Sequence, residues 1–325
     1  MNLKTLFPFF LLITLAICVC ITVMDTPKPI SNETKKDEAT SVSDVWIAPD
    51  TTTFPIGYEG NLIRYGQKLI QHTSYYFGPK GKLMHTTNGM NCQNCHLQSG
   101  TKPWGNNYAA VAANYPKLRT RSGKVESIFN RINDCFERSL NGKKLDTNSN
   151  EMKAMSSYIL WLGRNIEKGL TPKGTGLMKL TFLDRKTDPL IGKKFYVKHC
   201  QSCHQSNGGG LLNADSTEFV YPPLWGNNSY NIGAGMHCIS KLAGFIKPNM
   251  PFGTTHLSMV LTDEEAWDIA AYVNSQKRPT MNLSKDWPDI SKKPIDYPFG
   301  PYADQLTELQ HKFGPYVDAT LAKNK

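Results

Sequence analysis

The hydrophobic and polar positions of the chain fall into one pattern that occurs twice. From Glu59 to Thr73, Leu62, Ile63, Leu69 and Ile70 share one side at helical spacing, which predicts an amphipathic helix. After a Gly/Lys-rich loop, Trp104-Gly105-Asn106-Asn107 opens an element that carries Tyr108, Val111 and Tyr115 as packing residues. Pro116 to Lys124 reads as a basic loop with Lys117, Arg119, Arg121 and Lys124. A helix is predicted from about Val125 to Leu140, closed by Asn141-Gly142. Another runs from about Asn150 to Gly163, with Met152, Met155, Tyr158, Ile159 and Leu162 as its core face.

Residues 168–187, rich in Gly, Lys and Thr, read as a linker, and the pattern then returns. Leu190 to Lys198 predicts a helix, and Trp225-Gly226-Asn227-Asn228 repeats the earlier tetrapeptide. Thr262 to Gln276 predicts a closing helix, with Thr262 as N-cap and Glu265 completing a capping box. The Pro- and Tyr-rich residues 281–325 read as an extended tail over the domains, with one short helix near Ala303 to Lys312. At the other end, Leu6 to Met24 is an apolar run behind Lys4, so residues 1–24 read as an export signal, cleaved or retained as a membrane anchor. Residues 25–50 mix Pro, Ser, Thr, Lys and Glu and read as a flexible linker.

The chemistry lies in Cys92-Gln93-Asn94-Cys95-His96, repeated as Cys200-Gln201-Ser202-Cys203-His204. Two cysteines three apart with histidine next form the attachment signature of a c-type haem. The thiols add across the haem vinyl groups, and His96 and His204 are then the proximal iron ligands. Two copies in an exported chain predict two covalently bound haem c groups, one in residues 51–167 and one in residues 188–280. The order helix, haem motif, distal-ligand loop, closing helix predicts an all-α fold of two class I cytochrome c-type domains. Export and haem attachment place the chain in the periplasm.

The formal net charge of +10 among 325 residues is partly offset by four haem propionates, and the remainder suits an anionic substrate or simple solubility. No basic-aromatic pattern argues for nucleic acid. The sixth iron ligand separates a carrier from a catalyst. In the second domain Met250, in Asn249-Met250-Pro251-Phe252, is the favoured distal ligand over Met236 and Met259. The first domain has no Met-Pro there. Of eight cysteines, four serve haem and Cys18 and Cys20 lie in the export run, which leaves Cys135 and Cys238. These two could form a disulfide in an oxidising compartment. Alternatively, Arg131, Cys135 and Ser139 share one helix face, and Arg121 can reach it. Two guanidiniums beside a thiol would lower its pKa and bind an oxyanion.

On these residues the chain resembles the dihaem thiosulfate dehydrogenases that double as tetrathionate reductases. The likeness runs through both haem motifs, Arg131-Ile132-Asn133 into Cys135, and Arg138-Ser139-Leu140-Asn141-Gly142. It continues in Glu151-Met152-Lys153-Ala154-Met155, in Ile246 to Pro251, and in Tyr297-Pro298-Phe299-Gly300-Pro301-Tyr302-Ala303-Asp304. The resemblance implies that Cys135 is the distal ligand of the first iron, that Arg121, Arg131 and Ser139 hold the sulfur oxyanion, and that thiosulfate and tetrathionate interconvert there. Some members have a lysine before the distal methionine, where this chain has Asn249. Electrons would leave to a small cytochrome c or a quinol-linked carrier. The rival readings are a non-catalytic dihaem electron carrier, a dihaem peroxidase and a subunit of a sulfur-oxidising complex.

Overall fold

The structure, a computed structural model, describes residues 45–316; the apolar run with Cys18 and Cys20, most of the 25–50 segment and the last nine residues lie outside the described residues. The main helices are α1 (Tyr58–Gln71), α2 (Ile128–Arg138), α3 (Asn150–Leu162), α4 (Pro189–His199), α5 (Ile239–Asn249), α6 (Asp263–Ser275) and α7 (Glu308–Phe313). Among the described residues, sheet is confined to two antiparallel hairpins, β1 (Lys117–Arg119) with β2 (Lys124–Glu126) and β3 (Leu211–Leu212) with β4 (Phe219–Tyr221). Among the described residues no helix is long and apolar enough to cross a membrane.

Each haem motif follows the first helix of a crossed pair. In the first half α1 crosses α3 so closely that a Cβ on Gly66 would stand 1.9 Å from the Ala154 carbonyl oxygen. In the second, α4 crosses α6, and a Cβ on Gly192 would stand 1.9 Å from the Asp268 carbonyl oxygen. Glycine is required at both crossings because the backbones touch where a side chain would be. A tyrosine, Tyr158 or Tyr272, closes each contact from the partner helix. The repeated sequence pattern is therefore one packing unit used twice.

Local signals set the helix ends. The Ser149 hydroxyl accepts from the Met152 amide at 3.2 Å to start α3. At the start of α6, the Thr262 hydroxyl accepts from the Glu265 amide at 3.1 Å, and the Glu265 carboxylate accepts from the Thr262 amide at 2.7 Å, the expected capping box. Leu69, Ile70, Phe77, Phe136, Met152, Met155 and Tyr158 fill the first core. Tyr196, Ile239, Ala243, Trp267, Ala270 and Tyr316 fill the second. Met152 and Met155 are core residues, as their spacing predicts.

Five elements depart from the sequence expectations. The helix expected from Val125 begins only at Ile128, because Ser127 and Asn130 cap each other there. Val125 instead pairs with Leu118 across the hairpin, so the basic loop is a β-turn-β unit with Arg121 in its turn. Helix α5 has no counterpart in the sequence reading; Gly244 and Pro248 within it hide its periodicity. The segment 168–187 contains no helix or strand but is tied down: the Asn107 amide donates to the Gly174 carbonyl at 2.7 Å, and the Trp267 indole donates to Thr181 at 3.1 Å. The short tail helix starts at Glu308, not near Ala303, because Thr307 and Gln310 form its capping box.

Candidate active site

Both haem motifs present the same arrangement. The His96 amide donates to the Cys92 carbonyl at 2.9 Å, and the His204 amide donates to the Cys200 carbonyl at 2.9 Å, so both motifs close the same backbone turn. The Nδ1–H of His96 donates to the Asn106 carbonyl at 2.5 Å, and that of His204 to the Pro222 carbonyl at 2.8 Å. These bonds fix the tautomer that leaves Nε2 as the ligating nitrogen. Burial holds His96 down at about 4 and pushes Cys92 and Cys95 up to about 12. A neutral imidazole and neutral thiols in an apolar pocket fit a covalently attached haem with a nitrogen ligand to iron. Tyr108 stacks on the His96 ring with centroids 4.5 Å apart.

Helix α2 carries the distinctive groups of the first pocket. Arg131 donates from Nη1 to the Cys135 sulfur at 3.0 Å, one turn further along the helix. The Cys135 sulfur heads the causes of a raised Arg131 pKa, ahead of the opposing effect of burial. Cys135 is also a cause of the elevation of Cys95, and Arg131 a cause of the depression of His96, so both lie within electrostatic reach of the first haem motif. Ser139 caps the helix: its amide donates to the Cys135 carbonyl at 2.9 Å, and its carbonyl accepts from Asn88 at 3.3 Å. Cys135 and Cys238 both carry free thiols, so the disulfide alternative does not hold. Cys238 lies in a separate buried group with Trp287 and Tyr297, and burial pushes its thiol up to about 12.

Arg121 reaches the site from the hairpin turn, closed by the Gly123 amide donating to Arg119 at 2.8 Å. It forms an ion pair with Asp134 and donates to the Gly233 carbonyl at 3.3 Å. Burial, then Arg138 and Arg131, push Arg121 down to about 10. The sequence reading missed the carboxylates. Asp134 also pairs with Arg138 at 2.7 Å and touches Arg131 at 3.5 Å, while Asp286 of the tail takes both Nη atoms of Arg138 at 2.7 Å. The i,i+3 and i,i+4 spacing of Asp134 from Arg131 and to Arg138 was a readable signal. Nothing local points to Asp286, 148 positions from Arg138.

In the second domain Met250 follows α5 directly, its amide donating to the Ile246 carbonyl at 2.9 Å. Its side chain lies between the second core and an apolar group of Tyr230, Ala234, Met236 and Phe245. Cys95 and Leu97 of the first domain pack against that same group. Met259 is exposed at 41%.

A twice-used helix crossing with a haem-attachment pocket in each copy defines a dihaem cytochrome c. Residues 82–167 match the SoxA/TsdA cytochrome c domain, and residues 190–277 match the cytochrome c domain. The chain is 42% identical over 247 residues to the thiosulfate dehydrogenase of Psychrobacter arcticus, covering 74% of this chain and 71% of that protein. It is 35% identical to that of Allochromatium vinosum, covering 71% of this chain and 83% of the relative. The chain belongs to the thiosulfate dehydrogenase family. The thiosulfate dehydrogenase TsdBA from Marichromatium purpuratum, in its as-isolated form, superposes with a TM-score of 0.67 at 33% identity. That match covers 78% of this chain, which spans about half (52%) of the TsdBA chain.

Proposed function

We propose that this protein is a periplasmic oxidoreductase that interconverts thiosulfate and tetrathionate, two thiosulfates giving one tetrathionate and two electrons. The observation that carries the reading is the Arg131–Cys135 contact of 3.0 Å in the domain of the first haem motif, with Arg121 tied in beside it through Asp134. His96 and Cys135 would hold the first iron, and His204 and Met250 the second. Two covalently bound haems would supply one-electron redox chemistry, matching in number the two electrons of the reaction.

The remaining steps belong to the side chains. Arg131 and Arg121 take the sulfonate oxygens of one thiosulfate, with Ser139 at the end of the same helix face. Its terminal sulfur bonds to the Cys135 sulfur as two electrons leave, giving a cysteinyl S–S–sulfonate. The terminal sulfur of a second thiosulfate attacks the sulfane sulfur bonded to Cys135, breaking the Cys135–sulfur bond and releasing tetrathionate and the Cys135 thiolate. In reverse, the thiolate attacks the central S–S bond of tetrathionate, a thiol–disulfide exchange with thiosulfate as leaving group. A small cytochrome c or quinol-linked carrier exchanges the electrons at the second domain.

The test is an anaerobic absorption titration of reduced protein with tetrathionate. Prompt bleaching of the reduced haem bands is expected in the wild type, and none in Cys135→Met with both haems attached. No bleaching in the wild type would leave a dihaem electron carrier; full bleaching in Cys135→Met would remove Cys135 from the chemistry.

A further inference from the structure

Three guanidiniums and two carboxylates form one cluster beside Cys135, and they are not equally committed. Arg138 uses its whole fork: Nε on Asp134 at 2.7 Å, Nη1 and Nη2 on Asp286 at 2.7 Å. Arg121 is committed to Asp134 and to the Gly233 carbonyl, and its side chain is 15% exposed. Arg131 is different. It touches Asp134 only at 3.5 Å, and its side chain is 33% exposed. One carboxylate therefore holds Arg121 and Arg138 in place, with N–H groups of Arg121 left over for a sulfonate oxygen, and leaves Arg131, against the Cys135 sulfur, the least committed of the three.

The charges are also nearly balanced. Three arginines against Asp134 and Asp286 leave a surplus of one positive charge, shared between the Cys135 sulfur and an incoming dianion. A dianion without a sulfur to bond at Cys135, such as sulfate, meets the same surplus and gains nothing more. The frame is shared across the molecule. Helix α2 supplies Asp134 and Arg138, the hairpin turn Arg121, the tail Asp286, and the second domain the Gly233 carbonyl.

We propose that Asp134 is the positioning residue of this site and limits its affinity for unreactive oxyanions. It aims Arg121 and Arg138 while cancelling one of their charges, so selectivity for thiosulfate comes from bond formation at Cys135 and not from charge alone. This rests on the reading that the sulfur anion docks beside Cys135.

The test uses the holoprotein, sulfate as probe and two variants. Asp134→Asn removes the charge and keeps the shape. Sulfate binding by calorimetry is expected to tighten about tenfold, with the sulfate inhibition constant falling to match, while kcat drops at least tenfold because Arg121 is no longer held. A general loosening of the fold would weaken sulfate instead. Unchanged or weaker sulfate binding in Asp134→Asn overturns the proposal. Asp134→Glu keeps the charge and moves it, so sulfate affinity should stay at the wild-type value while kcat falls. This variant carries the test if the asparagine form does not fold; tighter sulfate or a full kcat in it contradicts the proposal. Wild-type protein that does not turn over thiosulfate would overturn the reading of the site itself, which separates the two failures.

Discussion

The Arg131 guanidinium donates to the Cys135 sulfur across 3.0 Å, one turn apart on the same helix. A single fork there can hold the sulfur with one N–H and offer the others to sulfonate oxygens. Lysine is a point charge and cannot do both. Arg131→Lys is expected to raise KM for thiosulfate about tenfold or more, with both haems retained. Steady-state kinetics at matched haem content measure this, and wild-type kinetics would remove Arg131 from substrate binding.

Asn249 joins the two domains next to Met250. Its side chain is 2% exposed, and its amide donates to the Trp104 carbonyl at 3.0 Å and to the Phe245 carbonyl at 2.8 Å. Around it, Lys102 donates to the Thr254 carbonyl at 2.9 Å, and the Trp104 and His256 rings lie 4.7 Å apart. The turn after the first haem motif thus grips the loop that carries Met250. Asn249→Ala leaves a buried carbonyl without its donor, which costs about 1–3 kcal/mol. Urea denaturation of the holoprotein should show a loss in that range; a loss near zero would mean that the grip does not hold the domains.

Much of this molecule is legible in the chain because its strongest signals are local. The spacing of Cys92, Cys95 and His96 carries the haem chemistry, and Thr262 with Glu265 marks a helix start. Arg131 and Cys135 are placed on one helix face by period alone. What escaped the sequence reading depends on distant partners or mixed signals. Arg121 is within reach of the site by sequence, yet its pairing with Asp134 shows only once the hairpin is closed at Gly123. The partner of Arg138 shows only when the tail returns with Asp286. Residues 168–187 have linker composition, yet Leu180, Phe182 and Leu183 pack on the second core. The free thiol of Cys238 is also fixed by tertiary packing, since spacing alone allowed a bond to Cys135.

The two helix crossings should be intolerant of a single methyl group. At Gly66 and Gly192 an added Cβ falls 1.9 Å from a carbonyl oxygen of the facing helix, so the helices must part. Overpacking of this kind costs about 1–3 kcal/mol, and rigid backbone on both sides puts these sites at the upper end. Gly66→Ala and Gly192→Ala should each lower Tm by several degrees in the haem-loaded protein. A glycine elsewhere with open space, such as Gly235, serves as control. Equal Tm values for Gly66→Ala and Gly235→Ala would show that the crossing is looser than its geometry implies.

Acid sensitivity should trace in part to His237. Its ring stacks on Phe299 with centroids 5.5 Å apart, and its Nδ1 is buried without a hydrogen-bond partner among the described residues. Burial, then Arg278, hold its pKa down at about 3, against an ordinary value of 6.5. Below pH 6.5 the unfolded chain therefore takes up a proton that the folded chain refuses. Stability from this group is complete above that pH and falls as pH drops toward about 3. Between pH 7 and pH 5 the loss amounts to about 2 kcal/mol at most. His237→Phe keeps the stacked ring and removes the titration, so its denaturation midpoint should fall less over that range than the wild type's. Parallel pH profiles for the two proteins would show that His237 accepts its proton in the folded state.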